Sequence, residues 1–203
     1  CSSDLSALAR RGFFDPKELM TLRKIGSDLQ GHPNMNDLPG IDMSTGSLGQ
    51  GISAAVGMAL AGKVDKKDYR VYALLGDGEL EEGQVWEASM CAAHYNLDNL
   101  TIFIDFNGLQ IDGDITKVMS PCPIDKKFEA FGWNVLVIDG HNYDEILGAI
   151  EKAKNHKGEP TAIICNTVKG KGVSFMENEA SWHGTAPSKE QCEVAVKELG
   201  GEI

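Results

Sequence analysis

The sequence of 203 residues predicts an α/β fold, a doubly wound and mostly parallel sheet with helices on both faces. Four continuously apolar segments are predicted strands, at 70–75, 99–105, 133–138 and 161–166. Helical patterns separate these strands, at 80–95, near 124–131 and at 143–155. Continuous rather than alternating apolar strands, each followed by a helix, are typical of a parallel sheet covered on both faces. We expect one domain over residues 1–203.

The residues before the first strand predict further helices. Apolar spacing at Leu5, Leu8 and Ala9 indicates a helix at the N-terminus, which starts at a cysteine and resembles a cut end, so we expect a truncated domain. Asp15 before Pro16 is typical of a helix start and predicts a helix to about Asp28.

Residues 31–46 have turn-forming composition and are predicted to be a loop. Small residues dominate the helical pattern at 47–62, which suits a packed interior or a subunit interface. A final helix is predicted at 188–199.

Composition argues against several classes of function. The net charge of −11 disfavours binding to nucleic acid and to anionic membranes. No apolar run is long enough to span a bilayer, and the N-terminal residues lack the pattern of a signal peptide. The five cysteines are odd in number and form no C-x-x-C pair, as expected of reduced thiols. A cytoplasmic protein is the expectation.

Polar residues follow the predicted strands where ligands of such sheets bind. Asp77 lies between two glycines after the first strand, and Asn107 follows the second. Exposed N–H groups at the start of the next helix suit a diphosphate, and a carboxylate beside it requires a bridging cation such as Mg²⁺. From residue types alone, a turn with Asp77 as helix N-cap is the commoner interpretation.

The spacing between the two motifs favours the metal-binding interpretation instead. Twenty-eight residues separate Gly78 from Asn107, and this resembles the GDG…N motif of thiamine-diphosphate enzymes. Further segments occur in the order in which transketolases carry their equivalents: GHP, STGSLGQG, GDGELEEGQVWEA, NLDNL, DFNGLQIDG, DGHNYDEI, KGKG and WHG. The chain resembles the diphosphate-binding, N-terminal part of transketolases over nearly its whole length. GELEEGQVWEA and NGLQIDG are most similar to transketolases encoded as two separate chains.

This resemblance implies a cofactor, thiamine diphosphate, held through Mg²⁺ or another divalent cation such as Ca²⁺ or Mn²⁺. The implied metal ligands are the side chains of Asp77 and Asn107 and the carbonyl of Leu109. The N–H of Gly78 would contact the diphosphate. A loop of three residues would lie against the aminopyrimidine ring: Gly46, Ser47 and Leu48.

Two histidines and two glutamates match functional positions of the family. His32 and His183 would border the thiazolium ring and contact substrate hydroxyls and the diphosphate; without the resemblance they are turn and loop residues. Glu82 and Glu87 match glutamates that reach across a dimer interface towards the partner, where they would relay protons. Glu79 is interpreted as an acid of a first helical turn. The KGKG segment, with Lys169, lacks the spacing of a phosphate-binding P-loop.

The resemblance also implies partners. The pyrimidine-binding domain and its activating glutamate, absent from this sequence, would come from a C-terminal transketolase subunit, and self-association is expected. The pair would transfer a two-carbon ketol unit between sugar phosphates. The alternatives are a cofactor-binding but inactive fragment or interaction module, or another thiamine-diphosphate enzyme such as deoxyxylulose-phosphate synthase.

Overall fold

A computed structural model describes residues 2–202 and confirms the α/β architecture. Its strands are β1 (Val71–Gly76), β2 (Leu100–Phe106), β3 (Leu109–Gln110), β4 (Gly113–Asp114), β5 (Asn134–Asp139) and β6 (Thr161–Asn166). Four of them form a parallel sheet in the order β1-β2-β6-β5, while β3 and β4 form a separate antiparallel hairpin.

Seven α-helices accompany these strands within the described residues. They are α1 (Ser2–Arg10), α2 (Gln50–Val64), α3 (Gly83–His94), α4 (Ile115–Val118), α5 (Ile124–Ala130), α6 (Tyr143–Asn155) and α7 (Lys189–Glu198). The four predicted strands and the helices at the N-terminus and after each strand are therefore confirmed to within a few residues.

The main core lies between one face of the sheet and the helices α2, α3 and α5. Leu75, Ile102 and Ile164 of the sheet pack there with Val85 and Phe128 of the helices. Burying each such side chain contributes roughly 1.5–3 kcal/mol. On the opposite face, α6 forms a smaller core over β5 and β6. Helices thus cover both faces, as the continuous apolar strands predict.

The register brings the carboxyl ends of the strands to one edge. Gly76 of β1 lies opposite Asp105 of β2, and Phe106 of β2 lies opposite Asn166 of β6. The segments that follow β1, β2 and β6 therefore begin side by side. This alignment positions the candidate site.

Strand β1 is an outer strand of the described sheet, because its only strand partner among residues 2–202 is β2. Two of its apolar side chains face away from the main core and are accessible: Tyr72 is 46% exposed and Leu74 is 75% exposed.

The predicted helix from residue 16 to about 28 is wrong. The chain forms only a 3₁₀ helix over Pro16–Thr21, although Asp15 caps it as predicted by accepting the N–H of Lys17. Positive φ angles at Arg23 (61°) and Gly26 (82°) end the helical path. The Ser27 hydroxyl bonds to Thr21 and to the N–H of Leu29, and such local side-chain bonds compete with helix formation.

The sequence predicted none of three short elements: the β3–β4 hairpin, α4, and a 3₁₀ turn at Ala180–His183 that packs against the hairpin.

Cys91, Cys122, Cys165 and Cys192 are free thiols, and Cys1 lies outside the described residues. No helix within residues 2–202 combines the length and apolar character needed to cross a membrane.

Candidate cofactor site at the carboxyl ends of the strands

Asp77 lies at the centre of the candidate site, directly after β1. Its side chain is buried, with 2% of its surface exposed. One carboxylate oxygen accepts the N–H of Gly78 at 2.8 Å and the other accepts the N–H of Gly108 at 2.6 Å. The aspartate thus links the turn after β1 to the turn after β2, and it also caps the 3₁₀ helix Gly78–Glu81.

The charge of Asp77 is not balanced by a cationic side chain. Burial raises the pKa of the Asp77 carboxyl, the N–H groups of Gly108 and Gly78 oppose the rise, and the charge of Asp105 adds to it. No ion pair within residues 2–202 involves Asp77. Because a buried carboxylate is stabilised by a bound cation, this environment fits a divalent metal ion.

Asn107 follows β2 on the same edge. Its side-chain oxygen accepts the N–H of Leu109 at 3.0 Å, which turns the chain into the hairpin and leaves the second lone pair of that oxygen available. Within the described part of the chain, no cluster of three or more His, Cys, Asp or Glu side chains could hold a metal. A cation here would therefore depend on amide and main-chain oxygens beside one carboxylate, a donor set that suits Mg²⁺.

Gly78 occupies a position that a side chain could not. A Cβ atom at residue 78 would lie 2.7 Å from Cβ of Gln110 in the hairpin. The glycine therefore allows the hairpin to approach the turn that carries Asp77. Its N–H is directed to Asp77 in this arrangement.

The loop at residues 46–48 lies beside His32. Gly46 has a φ of 152°, and a Cβ there would be 2.6 Å from the His32 ring, so both backbone angle and packing require glycine. His32, Gly46, Ser47 and Leu48 are all exposed, Leu48 by 55%. The structure thus brings His32 and the loop together and leaves both accessible.

His183 lies next to the KGKG segment. Its Nδ1 is 3.5 Å from Nζ of Lys169 in that segment. Partial burial lowers the pKa of His183, and the charge of Lys169 adds to the shift. An imidazole and a nearby ammonium group suit contacts with anionic and hydroxyl groups of a ligand.

A cavity of about 500 Å³ opens beside the strand ends, a volume typical of small-molecule sites. Polar groups in its wall include Asp105, Asn107, Thr167 and Lys169, and Asp105 accepts a short hydrogen bond from Thr167. His141, for which the sequence predicted no site role, also lines this cavity, and its Nε2 accepts the N–H of Val168 at 2.8 Å. In the same wall, burial raises the pKa of the Cys165 thiol to about 11.

The acids after β1 occupy two different environments. Glu82 and Glu87 are exposed. Glu79 instead accepts backbone hydrogen bonds from Gly49 and Gly76. The sequence does not predict this contact, because a bond between residues 30 positions apart leaves no periodic signal.

Comparisons with known proteins identify the family of this chain. Residues 8–202 match the family described as transketolase, thiamine diphosphate binding domain. The 6-deoxy-6-sulfo-D-fructose transketolase subunit SqwG of Clostridium sp. (strain MSTE9) is 48% identical over 97% of this chain and 72% of its own length. One of the apulose-4-phosphate transketolase subunits of Phocaeicola vulgatus is 44% identical, over 97% of this chain and 69% of its own length.

Similarity extends to single-chain transketolases. Human transketolase is 46% identical over 96% of this chain, which spans 31% of that protein. The crystal structure of transketolase from Campylobacter jejuni superimposes with a TM-score of 0.86 and 35% identity, covering 92% of this chain and 30% of its own. A transketolase from Pichia stipitis, in complex with sedoheptulose-7-phosphate, superimposes with a TM-score of 0.85 and 31% identity, covering 92% of this chain and 29% of its own. The chain therefore belongs to the transketolase family as its N-terminal, thiamine-diphosphate-binding part, and is most like the separate N-terminal subunit of two-chain members.

Proposed function

We propose that this chain binds thiamine diphosphate through Mg²⁺ and, with a C-terminal subunit carrying the pyrimidine-binding domain, transfers a two-carbon ketol unit between sugar phosphates. The observation that carries the proposal is Asp77, a buried carboxylate without a cationic partner among the described residues, linked through Gly108 to the turn that holds Asn107. Relatives named for 6-deoxy-6-sulfo-D-fructose and for apulose-4-phosphate support a sugar substrate with an anionic group.

In this proposal the carboxylate of Asp77, the side-chain oxygen of Asn107 and the carbonyl of Leu109 hold the cation. Mg²⁺ fits an all-oxygen set of this kind, and Ca²⁺ or Mn²⁺ could replace it. The N–H of Gly78 would then turn towards the diphosphate. Gly78 is suited to this because a glycine backbone can reorient more freely than that of other residues.

The exposed residues take part in orienting cofactor and substrate. Gly46, Ser47 and Leu48 present a backbone and one apolar side chain to the aminopyrimidine ring. His32 and His183 offer imidazole groups to the diphosphate and to substrate hydroxyls. The cofactor itself supplies the carbanion chemistry, and the protein's part is to bind it, to orient it and to keep water out.

A second chain is needed to close this site. The cavity at the strand ends takes in Asn107 and Lys169, but neither Asp77 nor the 46–48 loop forms part of its wall. His32, Leu48, Glu82 and His183 are exposed in the single chain. Because water must be excluded from such chemistry, these groups support a site completed by the partner domain.

The proposal is tested by measuring ketol transfer in three samples: this chain, the partner subunit, and their mixture with thiamine diphosphate and Mg²⁺. Transfer is expected only in the mixture and only with the divalent ion present. Transfer by this chain alone would contradict the two-chain mechanism, and its absence from a mixture that forms a stable complex would contradict the activity.

We also expect self-association through the exposed small-residue face of α2 and the neighbouring α3. Gly57 of α2 is exposed, and a Cβ there would meet no atom within 4 Å, so Gly57→Leu should fold normally. Leucine would separate two closely packed backbones, and association should weaken by about tenfold. Sedimentation at several concentrations measures the effect.

The matched control is Gly148→Leu, because Gly148 is also exposed, helical and unobstructed but lies in α6. It should associate as the parent does. A parent chain that stays monomeric at high concentration, with and without the partner subunit, would rule out this interface.

A further inference from the structure

One carboxylate joins two separate parts of the candidate site. An oxygen of Glu79 accepts the N–H of Gly49 at 2.9 Å, and the other oxygen accepts the N–H of Gly76 at 3.2 Å. Gly49 follows the 46–48 loop directly, and Gly76 precedes Asp77 directly. The side chain of Glu79 therefore connects the 46–48 loop to the turn that carries Asp77.

The two hydrogen bonds differ in what they hold. The bond to Gly76 is local, between residues three positions apart. The bond to Gly49 connects residues 30 positions apart and fixes the 46–48 loop against the turn after β1. Loss of an acceptor for a partly buried N–H is costly, and a charged acceptor makes a stronger bond than a neutral one.

Other contacts also hold residues 49–53 against the turn after β1. A Cβ at Gly49 would lie 3.2 Å from Cβ of Glu82, so the loop is packed closely against the turn. Gln84 continues the contact, since its side chain bonds to Gln50 at 2.5 Å and to Ser53 at 2.9 Å. The Glu79 carboxylate also lies at the N-terminus of α2, because Gly49 is the N-cap residue of that helix, and the helix dipole there favours a negative charge.

We propose that Glu79 is a positioning residue that sets the separation between the 46–48 loop and the Asp77–Gly78 turn, so that both ends of one thiamine diphosphate molecule are held at once. This inference rests on the proposed function. A ligand that reaches both places should depend on Glu79. The affinity of a ligand that binds only at the Asp77–Gly78 turn should not depend on Glu79.

The test uses Glu79→Gln, which keeps the size of the side chain and replaces one of its two acceptor oxygens with a donor. In either orientation of the amide, one of the two N–H groups faces the NH₂ instead of an oxygen, and the charge that strengthens both bonds is lost. Calorimetry with Mg²⁺ should show affinity for thiamine diphosphate lowered about tenfold. Affinity for inorganic diphosphate, which has no pyrimidine end, should stay near the parental value.

A second readout needs no ligand, because the Gly49 amide should exchange its hydrogen faster in Glu79→Gln than in the parent. The control is Glu81→Gln, which makes the same change of charge in the same turn, at a carboxylate that accepts a bond from the Gln110 side chain at 3.3 Å rather than from Gly49. Glu81→Gln should keep the parental ratio of the two affinities and the parental exchange rate at Gly49.

The outcomes separate this inference from the function beneath it. If Glu79→Gln lowers both affinities by the same factor, or neither, the positioning role is overturned while the cofactor assignment stands. If the parent binds neither ligand, alone or with its partner subunit, the proposed function fails and this inference fails with it.

Discussion

Asp77→Ala is expected to weaken Mg²⁺-dependent binding of thiamine diphosphate by about a hundredfold or more, since changes to groups that merely support a metal ligand already cost roughly 10–100-fold. The substitution removes the one carboxylate of the donor set and leaves the diphosphate facing fewer compensating charges. Inorganic diphosphate should lose affinity to a similar extent, unlike its behaviour with Glu79→Gln. Calorimetry with and without Mg²⁺ measures both effects.

Two controls accompany this variant. Asp112→Ala removes an exposed carboxylate from the nearby hairpin and should bind as the parent does. Thermal unfolding without ligand shows whether the fold survives, because Asp77→Ala also removes the acceptor for the N–H groups of Gly78 and Gly108. A folded Asp77→Ala variant with parental cofactor affinity would show that the metal lies elsewhere.

Glu82→Gln is expected to lower turnover of the assembled two-chain enzyme by about a hundredfold, the lower range for a group that takes part in proton transfer. Affinity for thiamine diphosphate should change little. Glu82 is exposed at the start of α3, makes no capping hydrogen bond there, and belongs to neither the metal set nor the diphosphate turn. A proton relay towards the partner would require a side chain that gains and loses a proton, which an amide cannot do at ordinary pH.

Comparing kcat with the cofactor dissociation constant in the same preparation tests this expectation. The control is Glu151→Gln, an exposed glutamate of α6 that pairs with Lys154 and should leave both quantities unchanged. Parental turnover in a Glu82→Gln complex would exclude the relay and leave the metal site untouched. A parallel loss of cofactor affinity would assign Glu82 to binding instead.

The sequence predicted the parts of this fold that follow from regular patterns. Continuous apolar segments predicted all four strands of the main sheet. The parallel order of the strands predicted that the turns carrying Asp77 and Asn107 lie at one edge, and the structure links these turns through the bond between Asp77 and Gly108. These features depend on burial and chain topology, which leave a signal in the order of residue types.

Features that depend on particular tertiary contacts were not predictable. The helix expected to reach Asp28 stops at Thr21, because positive φ at Arg23 and bonds of the Ser27 side chain favour another path. The β3–β4 hairpin has strands of two residues, too short for any period. The bridge from Glu79 to Gly49 depends on where two distant loops meet, which only the folded chain determines.

The accessible side of β1 has a consequence for handling the protein. Within the described residues β1 is an outer strand of the sheet and carries exposed Tyr72 and Leu74, and outer strands with apolar surface pair readily with strands of other molecules and lead to aggregation. The net charge of −11 opposes non-specific contacts between copies, and this repulsion is screened by salt. Colloidal stability of the isolated chain should therefore decline as ionic strength rises, and purification in dilute buffer is the condition that suits it.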